Sequence, residues 1–173
     1  TPSLTTPIYA TSTFVFESAA EVQAYQAGRS SGYLYSRYEN PTAVAVEQKL
    51  AAVEGAERSL LFSSGQAAST HALISMLQQG DEVVCSAAIY GGTHHLITDL
   101  LPRFGITGRF VTLAELADPA RVIGPRTKVV WFESPINPTL RCVDVRAVAA
   151  ACRAAGVTSV VDNTFACPLN QPV

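Results

Sequence analysis

Short apolar runs in this chain are followed at once by residues with chemistry to offer. Ser63-Ser64-Gly65-Gln66-Ala67-Ala68 leaves one such run for a helix start, where backbone N–H groups and a glycine can cradle a phosphate. The pattern is not Gly-x-Gly-x-x-Gly and carries no P-loop Lys, which argues against dinucleotide or ATP binding. A plain strand-to-helix turn would read the same way. Behind a second run stands Tyr90-Gly91-Gly92, whose ring could stack on a flat ligand or simply pack in a core. Asn137 lies between Pro135 and Pro138 behind a third run, in a loop rigid enough to hold its amide against a ring hydroxyl. An ordinary X-Pro loop is the plainer reading. Asp162 ends Val160-Val161-Asp162, where a carboxylate stays charged only against a cation or several donors. A protonated pyridine nitrogen is one such cation; a capping or turn-forming Asp is the commoner role. Tyr35 and Arg37, two apart in a segment that reads as extended, would point the same way and could grip a phosphate. Alone they are a packing Tyr and a solvated Arg. Together these residues could hold the phosphate, face, oxygen and nitrogen of one planar ring.

Around these residues the secondary-structure signals alternate. Residues 1–40 read as an irregular arm, with a short helix capped by Ser18 and Glu21, a break at Gly28 to Gly32 and an exposed aromatic stretch from Tyr33 to Tyr38. Asn40 and Pro41 start a helix with Val46, Leu50 and Val53 on one face before Gly55. The pattern then predicts strands at Ser59–Phe62, Glu82–Cys85, Arg109–Val111, Lys128–Phe132 and Thr158–Val161. Helices are predicted at Gln66–Gln79, Thr93–Phe104, Leu113–Val122 and Asp144–Ala155. Continuous apolar strands alternating with helices predict an α/β fold with a mostly parallel sheet covered on both faces. Ligands gather at the carboxyl ends of such strands, where the polar residues above crowd.

Composition narrows the function. Of 173 residues, 48% are hydrophobic and 15% charged, with a net charge of −2, so no basic nucleic-acid footprint and no polybasic membrane patch is expected. No eighteen-residue apolar run predicts a membrane helix. Cys85, Cys142, Cys152 and Cys167 lie too far apart for a disulfide scaffold and read as reduced, mostly buried thiols. Sparse His and Cys, with His94 and His95 adjacent, give no metal site. Without a signal peptide, the expected address is cytoplasmic.

Tyr35-Ser36-Arg37-Tyr38-Glu39-Asn40-Pro41-Thr42 resembles the YSRxxNPT motif of the Cys/Met-metabolism enzymes that depend on pyridoxal phosphate. These are the cystathionine γ-synthases, γ- and β-lyases, methionine γ-lyase and homoserine-ester sulfhydrylases. Thr6 to Phe14, Ser64 to Ala68, Tyr90 to Thr93, Glu133 to Pro138 and Val161 to Thr164 resemble further family segments in the same order. The resemblance implies a fold-type I transferase-like architecture, in which residues 1–40 are an arm contacting a neighbouring subunit and 41–173 the first part of the large cofactor-binding domain. It implies that Gly65 and Gln66 hold the cofactor phosphate through their backbone, with Thr164 near it. Tyr90 would stack on the ring and shuttle protons, Asn137 would approach the ring oxygen, and Asp162 would pair with the ring nitrogen. Tyr35 and Arg37 would grip the phosphate of the neighbouring subunit, within a tetramer built as a dimer of dimers.

By the same resemblance, the activity would be γ-elimination or γ-replacement at a C–S or C–O bond of a homoserine-derived amino acid, such as cystathionine or an O-acyl-homoserine. Methionine γ-lyase or β-lyase chemistry is the alternative within the family. Gly92 leaves an open spot where some methionine γ-lyases carry Cys, which leans away from that activity. Gln66 stands where the family usually has Met, a change that a backbone contact survives. The family's cofactor-anchoring Lys lies beyond Val173, and so does the C-terminal domain; Lys49 and Lys128 read as surface residues. The chain is therefore expected to be a segment of a longer polypeptide. A truncated, non-catalytic homologue that lends Tyr35 and Arg37 to an active partner is the rival reading.

Overall fold

The computed structural model describes residues 3–173, which fall into two compact units divided between Leu61 and Phe62.

In the first unit, two segments of the arm pair. Thr13 and Tyr35 form an antiparallel bridge, flanked by Phe14 N–H to the Leu34 carbonyl (3.1 Å) and Ser36 N–H to the Ser12 carbonyl (2.9 Å). Helix α1 (Ala19–Gln26) begins at Ser18, whose hydroxyl accepts the Glu21 N–H at 3.2 Å, and Glu21 in turn accepts the Glu17 N–H at 2.8 Å. Helix α2 (Pro41–Glu54) begins at Asn40 and stops at Gly55, whose φ of 68° suits a residue without Cβ. Asn40 does more than cap. Its Oδ1 accepts the Thr42 N–H at 2.9 Å, while its amide donates to the Tyr9 carbonyl (3.0 Å) and to Ser36 Oγ (2.9 Å).

Two expectations for this unit need correcting. Tyr35 to Tyr38 is a turn, not an extended strand: the Tyr38 and Glu39 N–H groups both donate to the Tyr35 carbonyl. Tyr33 to Ser36 are half-buried, because the arm's two segments and the start of α2 hold them. Nor is Ser59–Phe62 a strand, since a ladder needs a neighbour. Ser59 Oγ instead donates to the Glu47 carbonyl (2.6 Å) and Leu61 N–H to the Glu47 carboxylate (2.8 Å).

The second unit is a four-stranded, wholly parallel sheet in the order β2–β1–β3–β4, formed by β1 (Glu82–Ser86), β2 (Thr107–Val111), β3 (Thr127–Glu133) and β4 (Thr158–Asp162). Side chains alternate across it. Val83, Cys85, Val129 and Trp131 face Leu73, Leu77, Ile97 and Leu101, whereas Val84, Val130 and Phe132 face Leu116, Val122, Val148 and Cys152. Helix α3 (Gly65–Met76) therefore covers one face and α7 (Val145–Ala154) the other. α3 ends three residues before its predicted stop, because the Asp81 carboxylate accepts the Gln78 N–H at 2.9 Å and turns the chain into β1.

Prolines reshape two predicted helices. The first becomes α4 (Gly91–His95), a π turn (Leu96–Leu100) and a 3₁₀ turn (Leu101–Phe104) that contains Pro102. The second divides into α5 (Leu113–Leu116) and α6 (Pro119–Val122), with Pro119 opening the new helix. Two of the four thiols, Cys142 and Cys167, are exposed rather than buried. Among the described residues no helix is long and apolar enough to cross a membrane.

Candidate functional site

The sheet places β1 and β3 side by side while their following connections leave in different directions, β2 lying beyond β1 and β4 beyond β3. Parallel sheets open a crevice outside the carboxyl ends of the strands at such a point. The second unit has a cavity of about 720 Å³ there. Gly65, Gln66, Tyr90, Asn137, Asp162 and Thr164 all line it. Tyr35 and Arg37 belong to the first unit, where the Arg37 guanidinium lies 5.1 Å from the centre of the Tyr35 ring and 5.3 Å from that of Tyr38. The two meet through a turn and a cation–π contact, not through strand alternation.

At the start of α3, Ser64 Oγ accepts the Ala67 N–H (3.1 Å) and the Ser64 carbonyl accepts that of Ala68 (3.1 Å). The Gly65 and Gln66 N–H groups remain at the open, electropositive end of a twelve-residue helix. Gln66 also reaches across to donate to the Gly92 carbonyl at 3.1 Å. Gly92 is not the open spot its sequence suggests: a Cβ there would lie 2.5 Å from Tyr90 Cε1 and 2.8 Å from Gln66 Oε1. The Tyr90 ring itself is half-exposed at the cavity wall.

The floor comes from two strands in register. Trp131 is level with Val160, and Glu133 with Asp162, so two carboxylates stand side by side at the ends of β3 and β4. Thr164 donates its N–H to Asp162 Oδ1 at 3.1 Å, and its hydroxyl donates to the same oxygen. Glu133 is almost wholly buried, and its carboxylate accepts the N–H groups of Tyr90 and of Asn137, the latter at 3.3 Å. Burial pushes the Glu133 carboxyl above its usual range against these two hydrogen bonds, and the neighbouring Asp162 pushes in the same direction as burial. Sequence patterning places Glu133 directly behind a predicted strand, at the head of a family-like segment, and gives it no role. Its burial at the end of a central strand is the signal that marks it, and strand assignment alone does not show it.

A second feature legible only in three dimensions ties the two loops behind the floor. Gln171 Nε2 donates to the Ser134 carbonyl and to Asn163 Oδ1 (2.7 Å), Ser134 Oγ donates to Gln171 Oε1 (3.2 Å), and Asn163 Nδ2 returns a bond to the Gln171 carbonyl (3.1 Å). His94 stacks on Phe110 with ring centres 4.8 Å apart, and His95 meets Asp99 at 3.0 Å; neither lines the cavity. Among the described residues no group of three or more His, Cys, Asp or Glu side chains gathers to hold a metal. Lys128 is exposed at the start of β3, at the opposite end of the strand from the cavity.

The whole chain, residues 1–173, matches the model of the Cys/Met metabolism PLP-dependent enzymes. The chain belongs to that family. It is 40% identical over 171 residues to the cystathionine β-lyase MetC of Bacillus subtilis, covering 99% of this chain and 42% of that protein. It is 37% identical over 172 residues to the chloroplastic cystathionine γ-synthase 1 of Nicotiana tabacum, covering 99% of this chain and 32% of that protein. A solved Campylobacter jejuni structure, described as an O-acetylhomoserine (thiol)-lyase and carrying a pyridoxyl-lysine phosphate, superposes with a TM-score of 0.88 at 36% identity, over 96% of this chain and 41% of its own. The chain thus spans half or less of the length of these three relatives. The fold is the α/β fold of the PLP-dependent enzymes.

The cavity's own residues fit the family's cofactor. Two free helix N–H groups suit a phosphate, a half-exposed aromatic ring suits a flat heterocycle, and a carboxylate suits a ring N–H. Thr93 and Trp131 also line the cavity, and their buried Oγ1 and Nε1 atoms have no hydrogen-bond partner among the described residues.

Proposed function

We propose that this chain is the cofactor-binding part of a PLP-dependent enzyme of sulfur amino-acid metabolism, acting by γ-elimination or γ-replacement at a C–S or C–O bond of a homoserine-derived amino acid. The observation that carries the reading is one cavity, at the carboxyl ends of a parallel sheet, lined by every expected cofactor residue of the second unit. Pyridoxal phosphate, when bound, supplies an electron sink that acidifies the substrate carbons next to the amino group. Gly65 and Gln66 would hold its phosphate through backbone N–H groups, and Thr164 would flank it. Tyr90 would lie against the ring face and move protons with its hydroxyl. Asn137 would donate its amide to the ring oxygen. Asp162 would keep the ring nitrogen protonated, and the Thr164 hydrogen bonds to Oδ1 leave Oδ2 to face it.

The lysine that anchors the cofactor would come from outside these 173 residues. Residues 1–40 would act as an arm toward a neighbouring subunit, with Tyr35 and Arg37 gripping that subunit's phosphate, in a cytoplasmic tetramer built from dimers. Arg37 is exposed, as that role requires, and Val46, Leu50 and Val53 leave an apolar stripe open on α2.

The test is an intact mass of the purified full-length protein before and after borohydride reduction, followed by assays with cystathionine, O-acyl-homoserines and methionine. The expected result is a mass gain of one pyridoxyl group, with turnover of a homoserine-derived substrate. No adduct and no turnover would overturn the proposal and leave the non-catalytic reading.

A further inference from the structure

Glu133 sits at the last position of β3, at the crevice between β1 and β3, and its side chain is buried. One carboxylate oxygen, Oε1, accepts the N–H of Tyr90, the residue behind β1; the other, Oε2, accepts the N–H of Asn137, four residues along its own loop. The two backbones it ties belong to the two residues expected against the face and the oxygen of the ring. Among the described residues no other group accepts either N–H, although backbone bonds hold the neighbouring Ile136 (its N–H to the Arg141 carbonyl, 2.9 Å) and the Tyr90 carbonyl (from the His94 N–H, 3.0 Å). Tyr90 precedes α4 with no side-chain cap of its own, and Asn137 lies in a loop between two prolines.

A buried carboxylate beside another carboxylate is a costly choice for a purely structural tie. Packing would be served as well by an amide or an apolar side chain. Only an acceptor-only group with two oxygens gives each N–H an oxygen of its own, as Oε1 and Oε2 do here. An amide keeps one acceptor and turns a donor toward the other N–H.

We infer that Glu133 is a positioning residue for the cofactor: it sets the distance between the Tyr90 ring and the Asn137 amide by holding both backbones on one carboxylate. The inference rests on reading the cavity as the pyridoxal-phosphate site.

The test compares wild type, Glu133→Gln and Gly108→Ala in the full-length holoenzyme, by pyridoxal-phosphate dissociation constant and by the visible circular dichroism of the bound cofactor. Gly108→Ala serves as a destabilised control at a position that does not line the cavity, because its Cβ would meet Ile97 in the core. A Tyr90 ring no longer held in place forfeits stacking of about 0.5–1.5 kcal/mol, which predicts a dissociation constant raised about 2- to 10-fold in Glu133→Gln, with an altered dichroic band. Gly108→Ala keeps the wild-type band. A Glu133→Gln protein with wild-type affinity and dichroism, or one no more affected than the control, overturns the inference. Should Glu133→Gln fail to fold, amide exchange in the wild type decides. Tyr90 and Asn137 N–H groups protected relative to that of Gly91 support the tie, and exchange as fast as Gly91 overturns it. Wild type that binds no pyridoxal phosphate overturns the reading of the cavity instead, and the exchange measurement still judges the tie.

Discussion

Replacing Gly92 by Ala separates cofactor geometry from stability. The added Cβ would lie 2.5 Å from Tyr90 Cε1, 3.1 Å from Tyr90 Cδ1 and 2.8 Å from Gln66 Oε1. Carbon atoms rest about 3.5–4.0 Å apart, so the ring edge must retreat by about 1 Å. The Tyr90 N–H is held by Glu133, which leaves side-chain rotation as the way out, at about 0.5–1.5 kcal/mol for an off-rotamer ring. The ring is half-exposed, so it can swing without opening a core cavity, and Ala gains up to about 1 kcal/mol of helix propensity over Gly in α4. Net stability should change by less than about 1 kcal/mol. A displaced ring forfeits stacking of about 0.5–1.5 kcal/mol, which is about 2- to 10-fold in cofactor affinity. Turnover should fall further, by about 100-fold, as expected for a 1 Å misplacement at a reacting centre. The assay is a pyridoxal-phosphate titration of the full-length apoprotein beside a urea melt, with Gly91→Ala as its partner. A Cβ at Gly91 meets nothing within 4 Å, so that variant should bind as wild type. Equal affinities in the two variants would refute the placement of the Tyr90 ring over Gly92.

Two further outcomes follow from the sheet. Gly108→Ala should cost about 1–3 kcal/mol, read as a lower urea midpoint, because its Cβ would sit 2.1 Å from Cγ2 of the buried Ile97 and 3.3 Å from the Ile97 carbonyl oxygen; an unchanged midpoint would contradict the packing of β2 against the π turn. The Glu82 carboxylate is held below its usual range chiefly by the Arg109 guanidinium, which donates two bonds of 3.1 Å, with Thr127 Oγ1 adding one of 2.7 Å. Its folded value lies below 4.5, so its contribution to stability is present above pH 4.5 and is lost as pH falls through that lower value. Arg109→Met should cost roughly 1–3 kcal/mol at neutral pH, less than a fully buried pair because Arg109 is partly exposed, and should flatten the acid limb of the stability curve. An acid limb as steep as that of wild type would show that another group sets it.

Local signals account for much of the chain. Apolar runs each preceded by a glycine (Gly80, Gly105, Gly124, Gly156) mark β1 to β4, and Ser18, Asn40, Ser64 and Asp144 cap helices within reach of their predicted starts, because a cap is a contact between residues two or three apart. The residues behind each strand read as a site for a related reason: strand polarity alone sends them to one edge of a parallel sheet. Contacts across the chain leave no such local trace. Ser59 to Phe62 has the composition of a strand, yet a strand exists only with a ladder partner, and these residues have none. Tyr35 and Arg37 meet through a turn closed by carbonyl hydrogen bonds, which alternation does not foresee. Gly92 looks open because a glycine has no side chain, but the space above it belongs to the Tyr90 ring and to Gln66 of α3. Glu133 bonds to Tyr90, 43 positions away, and its place beside Asp162 follows from register between β3 and β4. Strand positions along the chain and their parallel direction, both legible in the amino-acid pattern, are enough to say which residues reach the carboxyl edge of the sheet. Which of them touch is set by the packed fold, because hydrogen bonds and burial depend on distances between segments that no local pattern encodes.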